Sequence, residues 1–107
     1  MKYWSITYSK LPASGMALYP VMLFKYDALR NDQTIVRHEK IHFKQQIELL
    51  ILPFYVLYLL HYLLNLLIYR NRSKAYFNIC FEKEAYANDQ NSNYLLKRRL
   101  YAWTKYL

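Results

Sequence analysis

The chain has 107 residues, a formal net charge of +8, one glycine and one cysteine. A hydrophobic fraction of 55% against 21% charged residues excludes a disordered tail, and the length allows one domain with one modest core. The lone Cys80 excludes an internal disulfide and a cysteine-based zinc cluster, and the scarcity of glycine argues for helices over an all-β meander.

The positive charge suits an anionic surface, either membrane lipid or nucleic acid. The basic residues are scattered and form no nucleic-acid-binding motif, so nucleic acid ranks last among the partners. The N-terminal stretch MKYWSITYSKLPASG has no apolar run of the signal-peptide type, and no cleavable signal is expected. The expected location is the cytoplasm or the cytoplasmic face of the inner membrane.

Residues 2–9 alternate loosely through Tyr3, Trp4, Ile6, Thr7 and Tyr8, which predicts a short strand. Pro12 to Gly15 supplies a turn. Residues 16–25 are rich in strand formers but contain Pro20, so they read as an edge strand or extended segment. Asp27 to Gln33 is polar and loop-like. Residues 1–33 therefore form an extended or strand segment and residues 34–107 a helical core, within a single domain. The predicted fold class is mainly α (α+β), with a short N-terminal strand or hairpin followed by about four helices.

Asp32 and Thr34 are both candidate N-caps for a first helix running from about Thr34 toward Leu50. This helix carries His38-Glu39-Lys40-Ile41-His42, the pattern H-E-x-x-H. Positions i and i+4 lie one above the other on a helix, so both imidazoles can bind one metal ion. Glu39 projects beside that face, where it can take a proton from the attacking water without ligating the metal. Arg37, Lys40, Lys44 and Glu48 form the solvated side, with Lys44 and Glu48 as an i,i+4 pair. Gln45 and Gln46 read as helix surface or as hydrogen-bond support for the metal ligands.

Leu49 to Tyr69 follows, 21 residues without a formal charge between Glu48 and Arg70. As one helix it would be roughly 30 Å long, about a bilayer core. A single straight span would put His42 and everything after Arg70 on opposite sides of a membrane and forbid a shared metal site. The chain is therefore expected to fold back near Pro53, with residues 54–70 returning beside the first helix. That segment either packs in the core or dips into one leaflet. A third helix is predicted over residues 74–88, with Ser73 as a candidate N-cap, and a last amphipathic helix over residues 93–105. The basic and aromatic residues of that last helix, Lys97, Arg98, Arg99, Tyr101 and Trp103, are a second candidate membrane contact.

Zinc usually takes a third protein ligand and leaves one position open. The downstream candidates are His61, Glu82, Glu84 and Asp89. His61 reads first as a hydrogen-bonded core residue. Glu82 and Glu84 lie about 200° apart on a helix, so only one can face the metal. Each has an alanine three residues on (Ala85 and Ala87), so steric room does not choose between them.

HEKIH followed on a later helix by Glu82-Lys83-Glu84-Ala85 resembles the gluzincin zinc metallopeptidases, and in particular the membrane-embedded heat-shock and CAAX-processing endopeptidases. The resemblance covers roughly residues 34–90. It implies one zinc ion held by His38, His42 and Glu82, with Glu84 as the alternate if the glutamate motif registers on Glu84-Ala85-Tyr86-Ala87-Asn88. It implies peptide-bond hydrolysis with Glu39 as general base and a peptide or protein substrate. The chain departs from the family at Tyr86, where the family has an aspartate that orients a ligating histidine. Asp89, Asn78 or a tyrosine hydroxyl are the candidate replacements. Tyr86, Tyr76 and His61 are the candidate oxyanion donors. The segment around residues 16–24 is a candidate for binding an extended peptide by strand addition. The rival reading is a non-catalytic, membrane-associated helical subunit or interaction protein with a vestigial or structural metal site.

Overall fold

A computed structural model describes residues 2–107. Three short strands, Trp4–Thr7 (β1), Gly15–Leu18 (β2) and Val21–Phe24 (β3), precede the helices Gln33–Glu48 (α1), Leu52–Tyr69 (α2), Arg72–Phe77 (α3), Cys80–Asn88 (α4) and Tyr94–Lys97 (α5). Two 3-10 turns, Asp27–Asn31 and Ala102–Tyr106, complete the chain. The fold is mainly helical with a small N-terminal sheet, an α+β arrangement.

The sheet has the order β1-β3-β2, with β1 parallel and β2 antiparallel to the central β3. Residues 16–25 are thus a hairpin and not one edge strand. Pro20 sits in the turn between β2 and β3, where its missing N–H costs no ladder bond. Ala17, Met22 and Phe24 pack with Phe43 of α1 to form one core cluster.

Asp32 caps α1, its carboxylate accepting from the Thr34 and Ile35 amides at 3.0 and 3.2 Å. After Glu48 the chain reverses through Leu50 and Ile51, whose φ angles of 59° and 70° are left-handed. This reversal precedes Pro53, which lies in the first turn of α2, where proline is well tolerated. The uncharged stretch is therefore a tight reversal followed by one unbroken helix. That helix is long and apolar enough, by length and composition, to cross a membrane.

The expected helix over residues 74–88 is two helices. Asn71 caps α3, accepting from the Lys74 amide, and extended backbone at Ile79 separates α3 from α4. Phe54, Ile79, Cys80 and Phe81 form the second core cluster, covered by Tyr58, Trp103 and Tyr106 among others. α1 lies between the two clusters. One side faces the sheet through Ile35 and Phe43, and the adjacent side faces α4 through His38, His42 and Gln45. The expected C-terminal helix over residues 93–105 is also broken: Arg98 is extended and Tyr101 left-handed between α5 and the last 3-10 turn.

Candidate metal centre

Helical spacing stacks His38 and His42 on one side of α1, and their rings meet edge to face with centroids 4.9 Å apart. α4 brings Glu82 against them. Its Oε1 lies 3.1 Å from His38 Nε2 and 3.2 Å from His42 Nε2. All three residues are buried, and their donor atoms lie within 4.8 Å of one another. Metal bonds of about 2.1 Å at tetrahedral angles would separate two ligand atoms by about 3.4 Å. The two observed separations are close to the edges of such a tetrahedron. This group can hold a metal ion.

The other ring nitrogen of each histidine is already engaged. His38 Nδ1 pairs with Asp89 Oδ2 at 3.0 Å, and His42 Nδ1 with Gln45 Oε1 at 2.7 Å. Gln45 Oε1 can only accept, so His42 Nδ1 carries a proton, and Nε2, turned toward Glu82, is the nitrogen a metal would take once its own proton leaves. Gln45 is itself fixed, because its Nε2 donates to the Phe81 carbonyl and to Glu84 Oε1. Tyr58 Oη donates to Glu82 Oε2 at 2.5 Å, leaving Oε1 to face both histidines.

Glu39 stands apart from this network. Its side chain lies against β2, where a Cβ on Gly15 would stand 3.3 Å from Glu39 Oε2 and 3.1 Å from Ile35 Cγ2. Glycine at position 15 is what lets the strand approach this closely. Glu39 is only 6% exposed, and among the described residues no hydrogen bond reaches its carboxylate. Burial pushes its pKa up, against the opposing charges of His42 and His38.

Glu84 does not enter the cluster. It is fully buried and held by Arg98, Tyr94 and Gln45. His61 also lies elsewhere, its Nδ1 accepting from the Cys80 amide at 3.1 Å. That bond ties α2 to the start of α4, and His61 is not one of the three clustered residues. Tyr86 packs edge-on against His38 with ring centroids 4.4 Å apart, and its hydroxyl meets that of Tyr76 at 2.9 Å. Glu48 pairs with Arg98 and not with Lys44. The sequence reading missed Tyr58. Its one available signal was the polar stripe of Tyr58, His61, Tyr62 and Asn65, spaced three or four apart within an apolar run.

Two measurable consequences follow from these contacts. Asp89→Asn removes the carboxylate that orients His38, and metal affinity is expected to fall by about 10–100-fold in a chelator competition. The second concerns pH. Burial alone would lower the His42 pKa, but the Glu82 carboxylate, by charge and hydrogen bonding, outweighs it and raises the value to about 9. Burial would likewise raise the pKa of Glu82, yet His42 and the hydrogen bonds from both histidines hold it well below the ordinary carboxylate range. The pair therefore stabilises the metal-free fold fully between the unfolded values, about 4.5 and 6.5. That contribution is lost as pH rises through about 9, where folded His42 deprotonates, and as it falls below 4.5 and Glu82 protonates. A bound metal must displace the His42 proton, so its affinity runs the other way and grows with pH. Melting curves with EDTA and with zinc should show a metal-induced stabilisation that widens steadily from pH 6 to pH 9.

No known protein family, curated protein or solved structure matches this chain.

Proposed function

We propose that the protein is a small zinc-dependent peptidase. The observation that carries this reading is Glu39: a buried carboxylate without a hydrogen-bond partner among the described residues, beside a group of three candidate metal ligands to which no fourth His, Cys, Asp or Glu is added. A purely structural zinc site usually closes all four positions with protein ligands and has no use for such a group. Two imidazoles and one carboxylate suit zinc better than calcium or magnesium, which prefer all-oxygen ligand sets.

Zinc, when bound, would polarise the scissile carbonyl and lower the pKa of water toward about 7. The chain supplies the remaining parts. Glu39 accepts the proton of the attacking water and passes it to the leaving amine. In the metal-free chain burial raises its pKa, the direction that makes a carboxylate a better proton acceptor. Burial also raises the pKa of the Tyr86 hydroxyl, keeping it protonated beside His38, where it can donate to the tetrahedral oxyanion. β2 is an edge strand that passes Glu39 at Gly15, so an extended peptide adding to that edge would run past the general base. One outward carbonyl of that edge, Ala17 O, is already taken by Gln46 Nε2 and Tyr55 Oη, both at 2.9 Å. The pairing available to substrate is therefore short and centred on Gly15.

The test is metal content together with cleavage of unstructured polypeptide. One zinc per chain, hydrolysis abolished by chelation and hydrolysis restored by zinc support the reading. One tightly held zinc with no hydrolysis would make the centre structural. No bound metal between pH 6 and pH 9 would end the proposal.

A further inference from the structure

α2 is inside out. Its inward stripe carries Tyr55, Tyr58, His61, Tyr62 and Asn65, all but Tyr62 hydrogen-bonded to the domain. Its outward half, from Leu52 to Ile68, contains only Leu, Val, Ile and Pro. Val56, Leu60, Leu63, Leu64 and Leu67 are all exposed, Leu67 by 76%. On a helical projection the two sets divide the circumference into halves, with 100° between successive residues. A core helix of a soluble domain has the opposite polarity. An apolar face of this length, about 27 Å, is larger than isolated exposed leucines require and marks an interaction surface.

Charge chooses the occupant. No Asp or Glu occurs from residue 49 to residue 81, while Arg70, Arg72 and Lys74 are exposed just beyond the end of α2. We propose that α2 docks this domain on an anionic lipid bilayer, lying in the plane of one leaflet with its outward half in the acyl region and Arg70, Arg72 and Lys74 on the headgroups.

The in-plane orientation follows from the anchoring of the helix along its whole length. At its start the Ile51 amide donates to Gln46 O at 2.6 Å and Tyr55 Oη donates to β2. Near its end Asn65 Nδ2 donates to Ala75 O of α3 at 3.0 Å. Lipid on all sides of α2 would require these contacts to break. Immersion of the outward half alone breaks none and leaves the polar domain in water. This inference is independent of the metal centre.

The experiment is flotation of the full chain with vesicles, either phosphatidylcholine alone or three parts phosphatidylcholine to one part phosphatidylglycerol. Strong binding to the mixed vesicles, weakened by salt and by omission of phosphatidylglycerol, is expected. Leu60→Glu with Leu64→Glu changes only exposed positions and should reduce binding at least about tenfold with an unaltered circular dichroism spectrum. Arg70→Gln, Arg72→Gln and Lys74→Gln together should weaken binding to the anionic vesicles by on the order of 10–100-fold. In a Cys80→Ala background, Leu50→Cys and Arg72→Cys should both react with an impermeant maleimide added outside the vesicles. Labelling at only one of them would mean a span and overturn the in-plane arrangement. Equal binding to neutral vesicles would overturn the headgroup contact. A vesicle-indifferent dimer, dissolved by the two glutamates, would make a second copy of this chain the occupant and overturn the proposal outright.

Discussion

Replacing Glu39 with glutamine is expected to lower peptide turnover by about 10²–10⁴-fold while leaving one metal ion per chain. The substitution keeps the shape of the side chain and removes only its ability to accept a proton. None of the three clustered donor atoms belongs to Glu39, so the metal should be retained. The stability readout separates this role from a structural one. Burial disfavours the charged form of Glu39, so the neutral amide should not destabilise the fold. His38→Ala gives the opposite pattern, with metal and activity lost together and the metal-free melting temperature reduced. Glu39→Gln protein that still hydrolysed peptide at the wild-type rate would remove Glu39 from the chemistry, and the peptidase reading with it.

Much of this site was legible in the sequence because it is local. His38 and His42 lie four apart on a helix, and Asp32 announces where that helix starts. The choice between Glu82 and Glu84 was not local. Both carry alanine at i+3, and what separates them is Arg98, which captures Glu84 from 14 residues downstream. No periodicity encodes that contact. The same arginine explains the missing C-terminal helix. Residues 93–105 have a good amphipathic pattern, but the backbone breaks at Arg98 to deliver its guanidinium into the interior, so a tertiary contact overrides local propensity. The reversal before α2 was misplaced for a related reason. Proline is the visible breaker, whereas the turn uses left-handed Leu50 and Ile51, residue types that rarely adopt that conformation and give no warning of it. Residues 54–69 are helical and return beside the domain as expected, but the uncharged stretch does not itself show which face of that helix turns inward. Only the structure shows that the tyrosines, His61 and Asn65 face inward.

Arg98→Met is expected to destabilise the metal-free protein by about 3–5 kcal/mol in urea unfolding. Arg98 bridges two carboxylates, with Nε 2.5 Å from Glu84 Oε2 and Nη1 2.8 Å from Glu48 Oε2. The Arg98 and Glu84 side chains are 3% and 0% exposed, so solvent screens this pair little. Methionine keeps most of the buried stem and removes the charge, leaving Glu84 and Glu48 without their cation. A domain of this kind has about 5–15 kcal/mol of stability in total, so the loss would be a large fraction of it. Glu84→Gln in the same chain should return part of the loss, because the most deeply buried of the two stranded carboxylates is then neutral. The double variant should accordingly be more stable than the sum of the two single changes implies. The effect should also reach the metal ligands. Arg98 holds Glu84, Glu84 Oε1 accepts from Gln45 Nε2, and Gln45 Oε1 sets the tautomer of His42. Zinc affinity should therefore fall in Arg98→Met even under conditions where the protein remains folded. A loss of less than about 1 kcal/mol, the range of solvent-exposed pairs, would mean that Arg98 is solvated and that α5 is not docked on α4.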